Sequence, residues 1–248
     1  MSGTPHPDNG PVGIDRRGPV AVVTLRAGGE GCFDTALRQA LLAAVTELGE
    51  DPACRAIVLS AASGALPTGS EAADKVSDEI FRRLTVGKRP VVAVVESAAA
   101  GIGVSLAAGC DYVVANAATR FDCSFEEQLP QGALYWTLAR RIGAGRARQA
   151  LLRRQIFTGE QALAIGLANE LAAPGTALEK AVAAASRYAA MPPMALAWLK
   201  AAMATGSDTL DQAIETETNV QPLLRFSEDH NEAVAAFLQK RAPNFVGR

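Results

Sequence analysis

Three short apolar runs constrain this chain more than any other feature: residues 18–26 (GPVAVVTLR), 56–60 (AIVLS) and 91–95 (VVAVV). Each is rich in β-branched residues and too short for a buried helix, so each reads as a strand. Segments of helical length lie between them. Residues 35–48 carry Leu37, Leu41, Leu42, Val45 and Leu48 at helical spacing, with Asp34 or Thr35 positioned to cap the first turn. Residues 71–85 form a more polar helix candidate, broken by Arg89-Pro90, because the residue before a proline is driven out of helical backbone. Strand, helix, strand, helix in this order predicts an α/β fold of parallel strands joined by right-handed crossovers.

Beyond the third strand the chain reads AAAGIGVSLAAGCDYVVA. Gly101 and Gly103 precede a short helix of small residues, and residues 112–115 supply a further strand. From Leu134 onward the pattern is mostly helical, with Ala-rich segments at residues 177–190, 194–204, 209–223 and 229–240. A change of composition near residue 186 divides the chain into a flexible tail (1–17), an α/β core (18–185) and a helical C-terminal region (186–248). With 248 residues, the chain is long enough to bury a large core.

Charge and side-chain inventory exclude several functions. The net charge of −2 gives no electrostatic footprint for nucleic acid or an acidic membrane. No apolar run reaches the roughly 18–20 residues that span a bilayer. The N-terminal stretch MSGTPHPDNGPVG lacks the apolar region of a secretory leader, so a cytoplasmic location is expected. Cys32, Cys54, Cys110 and Cys123 follow no metal-ligand spacing and are expected to be reduced. The 2 histidines, His6 and His230, lie in the tail and in a charged stretch, which argues against a Ser-His-Asp triad or a histidine-ligated metal.

Three segments in order resemble the enoyl-CoA hydratase/isomerase (crotonase) superfamily. KRPVVAVVESAAAGIGVSLAAGCDYVVANAATRF resembles its glycine-turn segment, GRARQALLRRQIFTGEQALAIGLANEL the helix-turn-strand that follows, and FSEDHNEAVAAFLQKRAPNFVGR its C-terminus. The resemblance runs from about residue 18 to the end. It implies a crotonase-type spiral of ββα units with a C-terminal helical trimerisation region. The implied ligand is a coenzyme A thioester, with no permanently bound cofactor and no metal, and the implied assembly is a homotrimer or hexamer.

Thioester chemistry through an enolate requires N–H donors where charge grows on the carbonyl oxygen. A glycine-rich turn entering a helix offers them, because its first N–H groups are unpaired and the helix dipole is positive there. By resemblance, the backbone N–H of Ile102 is one oxyanion donor, flanked by Gly101 and Gly103. The other is that of Ser70, in the segment Leu66-Pro67-Thr68-Gly69-Ser70-Glu71, where Leu66 and Gly69 also border the substrate. Phe237 and Lys240, one helical turn apart, fall on the family's positions for the CoA nucleotide. Trp136 is a candidate for the acyl pocket, with a core role as the alternative.

The catalytic carboxylates depart from the family pattern. Ser105 stands where the first hydratase glutamate belongs, Phe125 falls on the second by ungapped count from Cys110-Asp111, and Gln131 stands at the isomerase position. Glu126, beside Phe125 in a shortened loop, is the remaining acid/base candidate. These departures leave two expectations: an acyl-CoA enzyme with weak or altered hydratase/isomerase chemistry, or a non-catalytic acyl-CoA carrier or regulatory subunit.

Overall fold

A computed structural model describes residues 10–28, 31–70, 75–125, 132–206 and 209–248, and for Ser70 the backbone alone. The chain opens with an antiparallel hairpin, β1 (Val12–Arg17) and β2 (Val20–Leu25). Residues 12–17 are therefore sheet, which corrects the expected tail: β1 shields one edge of β2, with Val12 buried opposite Leu25. Three ββα turns are formed: β2 and β3 (Cys32–Phe33) with α1 (Thr35–Glu50), then β4 (Ala56–Ala61) with β5 (Thr68–Ser70) and α2 (Lys75–Val86), then β6 (Val91–Val95) with β7 (Ala98–Ala100) and α3 (Ile102–Gly109). Next come β8 (Tyr112–Asn116), β9 (Arg120–Asp122), α4 (Leu134–Ile142), α5 (Ala144–Leu152), β10 (Ile156–Thr158), α6 (Gly159–Ile165), β11 (Glu170–Ala172) and α7 (Ala177–Ala189). The C-terminal helices are α8 (Pro193–Thr205), α9 (Leu210–Arg225) and α10 (Glu228–Gln239).

The main sheet has the order β1-β2-β4-β6-β8-β11 and is parallel except at β1. Its strands are buried on both faces, which explains their unbroken apolar character. Alternate residues divide between two cores. Val23, Leu59, Ala93 and Val113 face α1 to α4, while Val22, Val58, Val92 and Val114 face α7. Helix α7 meets them with Ala177, Ala181, Ala185 and Ala189, a small-residue stripe that lets it lie close to the sheet. That helix runs through residue 186, where composition changes.

The short strands form separate sheets, β3-β5 and β10-β9-β7. Helix α1 begins as its sequence predicts, with the Asp34 carboxylate accepting from Leu37 N–H at 2.8 Å. Helix α8 is tied to the core by Lys200, whose buried ammonium donates to Asp111 Oδ2 at 2.6 Å and to Arg89 O at 2.9 Å. The same carboxylate accepts from Val91 N–H at 2.7 Å, so one aspartate fixes the start of β6 and a C-terminal helix together. The four cysteines are free.

Candidate active site

The candidate site is built where β7, β9 and the 66–70 segment converge on the start of α3. All eight residues of α3 are buried. Gly101 precedes it with φ 51° and ψ −111°, backbone that a side chain disfavours. Its N–H donates to Asp122 O at 3.1 Å, and its own carbonyl accepts from Val104 and Ser105 N–H at 3.1 and 3.2 Å. The N–H groups of Ile102 and Gly103 sit in the first turn, where the helix supplies no acceptor and its dipole is positive.

Gly103 is required by close approach. A Cβ built on it would lie 2.8 Å from Pro67 O and 3.3 Å from Leu66 Cβ. The missing side chain is what allows α3 to rest against the 66–67 backbone. That segment is held on its other side, where Leu66 N–H donates to Ala98 O at 2.9 Å and Thr68 N–H to Gly31 O at 2.8 Å. Leu66 is buried, Gly69 is exposed with φ 61°, and Ser70 ends β5 opposite Phe33. The two segments that carry the expected oxyanion donors are thus neighbours, although residues 66–71 read as a loop in sequence.

The positions at which the resemblance leads one to expect carboxylates differ in environment. Ser105 is fully buried, and its hydroxyl donates to Gly101 O at 3.4 Å. Phe125 is half-buried against the main core, with the guanidinium of Arg154 at 5.3 Å over its ring. Glu126 and Gln131 lie outside the described residues. Asp122 is a carboxylate beside Gly101 that sequence reading passed over. Burial alone would raise its pKa, but hydrogen bonds from the Ser124 hydroxyl and N–H and from Arg120 together hold it below the ordinary carboxylate range. Its oxygens are engaged as acceptors.

Trp136 is half-buried on α4, and the Arg140 guanidinium stacks 3.8 Å from its ring. Phe237 and Lys240 are both exposed, Phe237 at 83%. They do not share a helix, which corrects that expectation. Helix α10 ends at Gln239, and Lys240 turns into left-handed backbone with φ 52°. Arg241 N–H returns to Ala236 O at 3.0 Å and Lys240 N–H to Phe237 O at 3.2 Å, a Schellman closure.

A second residue unmarked in sequence, Asp229, fastens α10: its buried carboxylate accepts from Val246 N–H at 2.6 Å and from Gly247 N–H at 3.0 Å. Among the described residues, no cluster of His, Cys, Asp and Glu could hold a metal. None of their helices is long and apolar enough to cross a membrane. A cleft of about 330 Å³ between α1 and α2 is rimmed by Arg82, Arg83, Lys88 and Arg89.

The chain resembles known proteins along most of its length. It is 31% identical over 189 residues to 1,2-epoxyphenylacetyl-CoA isomerase of Escherichia coli strain K12, covering 75% of this chain and 72% of that one. It is 33% identical over 173 residues to 2,3-dehydroadipyl-CoA hydratase of the same organism, covering 68% of each. The solved enoyl-CoA hydratase from Bacillus anthracis superposes with a TM-score of 0.88 over 96% of this chain and 100% of its own, and at 20% identity shows the shared fold. The enoyl-CoA hydratase/isomerase family profile matches residues 15–248, and the chain belongs to that family.

Proposed function

We propose that this protein binds an acyl-CoA thioester and stabilises negative charge on its carbonyl oxygen through the backbone N–H groups of Ile102 and Ser70, with hydration or isomerisation chemistry altered from that of its relatives. The observation that carries this reading is the contact of Gly103 with Leu66 and Pro67, which brings the first turn of α3 against the segment ending at Ser70. Preorganised donors at such a point favour the enolate over the neutral thioester, and that difference is what accelerates reaction. The names of the Escherichia coli relatives, an isomerase and a hydratase acting on CoA thioesters, are consistent with double-bond chemistry here.

Proton transfer is the altered part. Ser105 and Phe125 carry no carboxylate, nor does Gln131, so Glu126 is the proposed acid/base. Each missing general acid or base lowers the rate by roughly 10²- to 10⁴-fold. A carrier or regulatory subunit is the second reading, favoured by the full burial of Ser105 and its hydrogen bond to Gly101 O. Turnover of crotonoyl-CoA, followed by loss of its enone absorbance at high protein concentration, separates the two. The expected result is slow turnover that vanishes in Glu126→Ala. Binding without turnover selects the carrier, turnover at a full hydratase rate overturns the altered chemistry, and absence of acyl-CoA binding overturns both readings.

The C-terminal helices are the proposed assembly surface. Helix α9 has no buried residue, and Leu210, Ile214 and Leu223 on it are exposed, as are Trp198, Leu199 and Met203 on α8. Apolar exposure on this scale marks a surface that another chain covers. A homotrimer or a dimer of trimers is expected, so light scattering at micromolar concentration should give three or six chain masses. A single chain mass would count against it. Phe237, Lys240 and Trp136 remain the proposed contacts to the CoA nucleotide and the acyl group.

A further inference from the structure

We infer that the acyl group taken by this site carries a terminal anion, a carboxylate in its simplest form, and that Arg154 is the residue that recognises it. The inference rests on the acyl-CoA reading above and adds the substrate class. The start of α3 connects to Arg154 through a short series of contacts. Gly101 N–H bonds to Asp122 O at 3.1 Å, and a Cβ on Gly101 would lie 3.8 Å from Ser124 O. Phe125 follows Ser124 directly, and the Arg154 guanidinium lies 5.3 Å from the centre of its ring. Cys123 N–H donates to Gln155 O at 2.9 Å, which fastens the 154–155 segment alongside residue 123. The cation therefore stands next to the strand end that borders the proposed oxyanion turn.

The Arg154 side chain is exposed. Arg154 takes left-handed backbone, φ 48°, as the residue that closes α5, where its N–H donates to Leu151 O at 3.2 Å and Gln155 N–H returns to Ala150 O at 2.8 Å. Among the described residues its guanidinium lies over the Phe125 ring and forms no ion pair with a carboxylate. Asp122, the nearby carboxylate, is engaged by Arg120 and Ser124 instead. With the ring on one side, the guanidinium keeps N–H groups able to donate, and a carboxylate can accept two of them together. Where a family hydratase would present an acid/base glutamate, this chain presents an apolar platform with a positive charge above it.

Glutaryl-CoA and valeryl-CoA test this directly, since they share the CoA moiety and the chain length and differ by one carboxylate. Calorimetric titration of the full-length protein at low salt should show glutaryl-CoA bound roughly tenfold more tightly, the scale of one charge-assisted hydrogen-bonded contact. The preference should shrink as salt is raised. Arg154→Gln should abolish it while leaving valeryl-CoA affinity within about twofold, the remaining contacts being unchanged, and Arg154→Lys should restore part of it. Equal binding of the two thioesters by the wild type overturns the inference and leaves the acyl-CoA reading standing. Equal weakening of both by Arg154→Gln also overturns it, since Arg154 would then be reading the CoA phosphates. Failure of either thioester to bind removes the acyl-CoA reading itself, and the inference with it.

Discussion

Gly103→Val is expected to lower acyl-CoA affinity at least roughly tenfold and any turnover by roughly 10²-fold, the loss that follows when an oxyanion donor is displaced. The reason is steric and local. The first added carbon would lie 2.8 Å from a backbone oxygen, that of Pro67, and valine adds two methyl groups beyond it. The 66–67 segment is poorly placed to yield, because Leu66 is buried and its N–H is bonded to Ala98 O at 2.9 Å. Either α3 or the 66–70 segment must shift, and both carry a proposed donor. Overpacking of this kind costs about 1–3 kcal/mol, whereas valine gains only about 0.4 kcal/mol in helix propensity over glycine. The net expectation is a loss of about 1–2 kcal/mol in denaturant unfolding.

Gly145→Ala is the matched control. Gly145 lies in α5 with open space around its Cβ position, so alanine there should stabilise slightly and leave binding intact. A Gly103→Val protein that binds acyl-CoA like the wild type would show that the two segments are not held in place by this contact.

The main sheet was legible because its strands are buried on both faces and so carry continuous β-branched runs between helices of ordinary length. The short strands were not. Strands β5 and β7 have three residues each, too few for any periodicity, and their place is fixed by bonds to distant partners such as Gly31 O and Asp122 O. Strand β1 was missed because VGIDRR alternates around charged residues and follows a Pro- and Gly-rich stretch. At the site, the glycine turn could be read from spacing together with family resemblance, but the function of Gly103 could not. Its role depends on a backbone more than thirty positions earlier in the chain. Arg154 and Asp229 gave no signal of their own, since a left-handed backbone angle and a buried carboxylate are properties of the folded chain. Lys240 was placed on a helix because its spacing continued the pattern, and the Schellman closure ended that helix one residue earlier.

Ser105→Glu is expected to destabilise the protein by several kcal/mol rather than to create a hydratase. Residue 105 is fully buried within a helix whose every residue is buried, and its hydroxyl is already bonded to Gly101 O. A glutamate there would surrender its hydration. An ion buried without a matched partner is destabilising by several kcal/mol, and it escapes part of that cost only by taking up a proton. A carboxyl group kept neutral in this way cannot serve as a base toward water. Ser105→Ala removes the hydroxyl without adding charge and should cost about 1–3 kcal/mol at most, which isolates the effect of charge from that of losing the hydroxyl. Phe125→Glu differs in kind. Residue 125 is half-buried and faces the Arg154 cation, so a carboxylate there keeps both solvent and a partner. If a single substitution raises crotonoyl-CoA hydration, position 125 should be the one, by roughly 10²-fold or more. Denaturant unfolding and turnover of the three variants decide the matter. A Ser105→Glu protein as stable as the wild type and newly able to hydrate crotonoyl-CoA would mean that the site has room for an acid at residue 105.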